Sequence, residues 1–198
     1  MSYLSQAESF QGVADVFLRD PERYAPLLQF IESVMEAESS LTKVEREMIA
    51  AHVSKLNGCD FCLGAHKWTL AAMDIEPRVI EAIEAGPEDA EVDERMRPIL
   101  RFAGKLTRAP ERIGQGDIDA LRAAGWSDQA IEDTINVVAL FNYVNRLVDA
   151  FGIKGSESYF KQIGASLAKQ GYRPLVKNAL TKASRSDSDA ADGIGERL

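Results

Sequence analysis

Cys59 and Cys62, the only cysteines of this 198-residue sequence, are followed by His66 in the run Cys59-Asp60-Phe61-Cys62-Leu63-Gly64-Ala65-His66. Sulfurs at i and i+3, with an imidazole four residues after the second, project from one face of a helix. Asn57-Gly58 just before them is a pair that commonly ends a helix, so the next one starts at Cys59 or Asp60. A helix N-terminus carries partial positive charge and free amides, which stabilise thiolate over thiol and lower a cysteine pKa from its usual ~8.5. Thiolate is the nucleophile, so the spacing points to thiol redox chemistry. A buried structural pair or half of a zinc site is the plainer alternative.

The two sulfurs must divide the work, and their positions give conflicting hints. Cys59 is nearer the helix end, as is the attacking cysteine of thioredoxin-like motifs. Cys62 is one turn from His66 and better placed to lose its proton to that base. We read Cys62 as the attacking thiolate and Cys59 as the resolving thiol. Glu47 lies twelve residues before Cys59 on the preceding helix, and a tight Asn57-Gly58 turn could fold its carboxylate back towards His66 to orient and activate it. Spacing alone does not choose Glu47 over Glu45, since acidic residues in a first helical turn commonly just face solvent.

The elements that must hold these groups are helical throughout. No stretch alternates with period two, whereas apolar residues recur at three and four between Gly, Pro and Ser. The pattern predicts helices at about 10–18, 21–36, 43–56, 60–73, 76–85, 92–107, 117–124, 128–151 and 156–170, with stops at Gly86, Pro110, Gly125, Gly152 and Gly171. Pro21 suits a first helical position, and Thr42 with Glu45 forms a capping box ahead of Val44, Met48, Ile49, Val53 and Leu56. We expect an all-α, single-domain helical bundle over 1–182 with its redox core at about 41–75. Residues 183–198 read as a polar C-terminal tail.

A formal net charge of −8 and a pI near 4.9 argue against nucleic-acid partners. No run of ~18 apolar residues and no leader pattern is visible, which predicts a cytoplasmic protein with no membrane partner. No dinucleotide or phosphate loop is present, so no cofactor is expected and electrons must arrive through thiols.

Leu41-Thr42-Lys43-Val44-Glu45-Arg46-Glu47, then Val53 to Cys59-Asp60-Phe61-Cys62 and His66, resembles the core motif of the alkylhydroperoxidase D and carboxymuconolactone decarboxylase family, in its longer peroxidase-related branch. The resemblance implies that Glu47, Cys59, Cys62 and His66 form the proton relay and redox centre, with the second cysteine attacking a small hydroperoxide and an external thiol or dithiol resetting the pair. It also implies a homo-oligomer, whether dimer, trimer or hexamer. One position departs: the best studied members carry a second histidine between the cysteines, where this chain has Phe61, and an aromatic ring cannot relay a proton. The segment Phe141-Asn142-Tyr143-Val144-Asn145-Arg146 resembles a later part of the same branch. Asn142, Asn145, Arg146 and Asp149 share one helix face, which we read as an internally paired ridge or subunit contact rather than as catalytic groups.

Three rival readings remain. His52, His66, Cys59 and Cys62 are all the His and Cys of the chain and could together ligate zinc, although most of them crowd onto one short helix. A non-catalytic helical interaction module would leave the thiols inert, and a disulfide reductase would use the pair with little peroxidase activity. A decarboxylase or lactone-opening enzyme would have little use for a dithiol.

Overall fold

The computed structural model describes residues 3–85 and 92–195, and every regular element among them is helical. The helices are α1 (Val13–Arg19), α2 (Pro21–Glu36), α3 (Lys43–Leu56), α4 (Asp60–Ala72), α5 (Pro77–Ala85), α6 (Met96–Arg108), α7 (Gln115–Ala123), α8 (Asp128–Phe151), α9 (Glu157–Gln170) and α10 (Arg173–Gly195), with short 3-10 turns at Ser5–Ala7 and Pro110–Arg112. None of the described helices is long and apolar enough to cross a membrane.

Local chemistry sets the starts of these helices. Asp20 accepts a hydrogen bond from the Arg23 amide while Pro21 fills the first position of α2. Thr42 Oγ1 accepts from the Glu45 amide at 3.2 Å, and the Glu45 carboxylate accepts from the Thr42 amide at 2.6 Å, which is the reciprocal box the sequence predicts. Ser127 and Ser156 cap α8 and α9 in the same manner. Gly152, at φ 68° and ψ 31°, takes the left-handed conformation that ends α8.

The centre of the molecule is α3. It packs against α4, α8, α6 and α5, and every residue from Arg46 to Ser54 is buried. A helix buried on all sides must satisfy its polar side chains internally. Arg46 donates through Nη1 to the carbonyls of Val34 (3.3 Å) and Ala37 (2.8 Å) at the end of α2, and Asn145 Nδ2 of α8 donates to Ser54 Oγ at 3.0 Å. Helix α9 lies along α4, and α10 covers α2.

The predicted helices are all present, with shifted ends. The first begins at Val13 rather than near residue 10, and the sixth begins at Met96 rather than 92, because Asp93 turns the chain through a 2.8 Å bond from the Met96 amide to its carbonyl. Helix α10 was not expected: its apolar residues Leu175, Val176 and Ala179 are too few for periodicity to announce it, and they are held by packing. The predicted stop at Gly86 and the last residues of the predicted tail, 196–198, lie outside the described residues.

Helix α9 reaches α4 because position 164 has no side chain. A Cβ on Gly164 would stand 2.5 Å from the Trp68 carbonyl carbon and 2.8 Å from the Thr69 amide nitrogen, both main-chain atoms of the helix that carries Cys62 and His66. Replacing Gly164 with Ala should therefore cost about 1–3 kcal/mol, read as a lower urea midpoint. An unchanged midpoint would mean the two helices can part freely.

Candidate functional site

The turn between α3 and α4 begins the site. Gly58 takes a φ of +70°, Cys59 becomes the N-cap of α4, and its amide donates back to the Ser54 carbonyl at 3.0 Å. Helix α4 then returns along α3. That reversal brings His66, two turns into α4, against Glu47, one turn into α3.

His66 Nδ1 donates to Glu47 Oε2 at 2.7 Å, with both side chains almost wholly shielded (3% and 1% exposed). The bond leaves Nε2 as the basic nitrogen of the ring, since a carboxylate on Nδ1–H fixes that tautomer. Phe141 of α8 meets the imidazole edge-on at 4.4 Å between centroids and locks its orientation. Glu47 Oε1 has no hydrogen-bond partner among the described residues.

Burial resolves what spacing left open. Glu45 is consumed by the capping box, bonded to both the amide and the hydroxyl of Thr42, whereas Glu47 is fully buried and meets the histidine. Cys59 and Cys62 are both free thiols, 0% and 4% exposed. The Cys59 thiol is pushed far above its usual range, first by its hydrogen-bonding interaction with the Cys62 side chain, then by burial, with a smaller contribution from Asp149. The Cys59 thiol therefore holds its proton.

Cys62 and His66 line a partly open cavity of about 290 Å³ whose walls are almost entirely apolar. Phe17 and Leu18 of α1, Phe141 of α8, Ile163 of α9 and Leu175 of α10 contribute to it. Phe61, between the cysteines, is 4% exposed and packs on Tyr159 and Phe160 with centroids at 5.6 and 5.5 Å. It is a wall, with no proton to pass. Sequence reading missed this cavity and Tyr172, which also lines it, because the walls come from helices far apart in the chain.

The polar ridge on α8 is paired internally. Asn57 Nδ2 donates to the side-chain oxygens of Asn145 (2.9 Å) and Asn142 (3.2 Å), and Arg146 Nη1 donates to the Asn142 carbonyl and side chain. These bonds tie the turn ahead of Cys59 to α8. His52 points the other way: its Nδ1 faces the Ile83 carbonyl at 3.5 Å, and its Nε2 lies against Gly104 of α6. The four residues of the zinc reading therefore do not converge, and among the described residues no three His, Cys, Asp or Glu side chains form a metal cage.

The chain matches the carboxymuconolactone decarboxylase family over residues 21–104. No curated protein matches it. Among solved structures it is similar to an uncharacterized peroxidase-related protein from Silicibacter sp. TM1040, at 34% identity over 76% of this chain and 79% of that one, with a TM-score of 0.71. It is also similar to an alkylhydroperoxidase AhpD core, an uncharacterized peroxidase-related protein from Ralstonia eutropha JMP134, at 27% identity over 76% and 78% with a TM-score of 0.70. A protein of unknown function from Agrobacterium tumefaciens shares the fold at 19% identity, over 79% of this chain and 99% of that one, with a TM-score of 0.65.

His52 supplies a pH test of the core beside the site. Burial is the main cause that lowers its pKa from 6.5. The unfolded chain then binds a proton that the folded chain refuses, so stability is intact above about pH 6.5 and is lost as pH falls below it. The His52 contribution has a limiting slope of about 1.4 kcal/mol per pH unit. Urea unfolding between pH 7.5 and 5 should show a shallower pH dependence in His52→Gln than in the parent. Parallel curves would remove His52 as the cause.

Proposed function

Because the chain belongs to the carboxymuconolactone decarboxylase family and has an all-α bundle of the alkylhydroperoxidase D type, we propose that it is a thiol-dependent oxidoreductase that reduces hydroperoxides. The work is done by a Cys59/Cys62 dithiol–disulfide cycle with Glu47 and His66 as the proton relay. The observation that carries the reading is the buried 2.7 Å bond between His66 Nδ1 and Glu47, standing beside Cys62 at the wall of an apolar cavity.

The cycle runs as follows. His66, held in orientation by the Glu47 carboxylate at 2.7 Å, takes the proton of Cys62. The Cys62 thiolate attacks the terminal oxygen of the hydroperoxide and becomes a sulfenic acid as the alcohol leaves. Cys59, which kept its proton in the resting site, then attacks the Cys62 sulfur, closes the disulfide and releases water. An external thiol or dithiol reduces the disulfide. The apolar cavity favours an organic hydroperoxide, whose carbon body gains about 25 cal/mol per Å² on leaving water.

The relatives named as peroxidase-related support the activity at a coarse level. The buried Glu47–His66 pair supports it more finely, since a buried carboxylate with one unpartnered oxygen costs about 1–3 kcal/mol of stability. Phe61 removes one potential proton carrier, so the relay here has Glu47 and His66 and no second imidazole.

Intact mass tests the cycle. After one equivalent of cumene hydroperoxide, the parent chain should lose two hydrogens, Cys59→Ser should gain one oxygen on Cys62, and Cys62→Ser should stay unchanged. Sustained peroxide turnover by Cys62→Ser would overturn the assignment.

A further inference from the structure

The wall of the cavity opposite α4 is built by the turn between α9 and α10, and an ion pair fixes that turn. Lys43 Nζ holds the Glu36 carboxylate at 2.8 Å and accepts its place on α9 by donating to the Leu167 carbonyl at 2.9 Å. Gly171 then reverses the chain at φ +61°, so close to Glu36 that a Cβ there would lie 2.5 Å from its carboxyl carbon. Lys43 and Glu47 are one turn apart on α3, on the same face. The anchor therefore sets the residue after Gly171 in the wall of the cavity that Cys62 and His66 line.

That residue is Tyr172. It lines the cavity together with Cys62 and His66, and its hydroxyl makes no hydrogen bond to another described residue. Burial raises its pKa well above 10.0, with further contributions from the charges of Glu47, Glu36, Cys62 and Glu32. Tyr172 is thus a polar group in the wall of the cavity that the reacting sulfur also lines. The other tyrosine of the wall, Tyr159, is perturbed by burial and by Asp15 instead.

Resting on the dithiol reading above, we propose that Tyr172 is a further catalytic residue, whose phenol donates a hydrogen bond to the alkoxide oxygen as it leaves the hydroperoxide. The Cys62 sulfur gives an electron pair to the terminal oxygen, the S–O bond forms and the O–O bond breaks. Sulfur is oxidised to the sulfenic acid, which keeps the hydrogen of the hydroperoxide. The alkoxide takes the proton that Cys62 had passed to His66 and departs as the alcohol. A preorganised donor aimed at developing oxyanion charge in a dry site is worth far more than in water. Tyr172 never ionises in this sequence, so it acts as a donor alone.

The test is Tyr172→Phe, which removes one oxygen and keeps the ring, made in the full chain with Cys59→Ser so that only Cys62 reacts. Single-turnover oxidation of Cys62 by tert-butyl hydroperoxide should slow by about 10²-fold, while alkylation of Cys62 by iodoacetamide, which releases no alkoxide, should keep its rate. Peracetic acid, whose carboxylate leaving group needs little help, should show a much smaller loss. Equal hydroperoxide rates with and without the hydroxyl would overturn the Tyr172 role and leave the dithiol cycle standing. An equal fall in oxidation and alkylation would overturn it too, by making the effect structural. A parent protein that alkylates but never reacts with a hydroperoxide would remove both proposals.

Discussion

Everything in the site depends on α3 being buried on every side. A central helix with Arg46, Glu47, His52 and Ser54 inside cannot leave them to water, so each draws a different neighbour towards it. Arg46 takes the end of α2, Ser54 takes α8, His52 faces α5, and Glu47 takes His66 of α4. Loss of either partner of the last pair would strand a buried polar group. Breaking such pairs typically costs about 3–5 kcal/mol. The same pair that orients the imidazole therefore also fixes the register of α4 on α3, and the two sulfurs follow from that register.

The sequence made the local part of this arrangement readable. Thr42 with Glu45, Asn57-Gly58, and sulfurs three apart are short-range signals whose physics is complete within a turn or two of helix, and each appears where it was expected. The choice of Glu47 over Glu45 was not readable from spacing, because it depends on which side of α3 faces the interior. Tertiary packing decides that. The cavity was further out of reach: Phe17, Phe141, Ile163 and Leu175 meet only after α1, α8, α9 and α10 have packed. Helix α10 itself shows why, since its few apolar residues are held by contact with α2 rather than by a pattern of their own.

The two faces of the site are built differently. Beneath Cys59, the side chains of Asn57, Asn142, Asn145 and Ser54 form a continuous hydrogen-bonded floor between the α3–α4 turn and α8. Directional bonds of that kind hold one geometry, which suits a cap position whose sulfur, in the proposed cycle, meets another sulfur one turn away. Above Cys62, the roof is aromatic and aliphatic, with Phe61 against Tyr159 and Phe160. Apolar contacts have shallow directionality, so this side can adapt to a guest at small cost.

Burial of Glu47, Cys59, Cys62 and His66 raises the cost of every charge the chemistry creates, and the proton inventory answers that cost. In the proposed cycle the proton leaving Cys62 goes no further than His66, whose new positive charge is offset by the Glu47 carboxylate at 2.7 Å. The cluster as a whole neither gains nor loses charge at that step. The negative charge then moves from sulfur to oxygen and is quenched by the stored proton, again inside the cluster. The Cys62 side chain and then burial hold the Cys59 proton in place, and burial holds that of Tyr172, which keeps both groups out of this exchange until sulfur chemistry calls on Cys59.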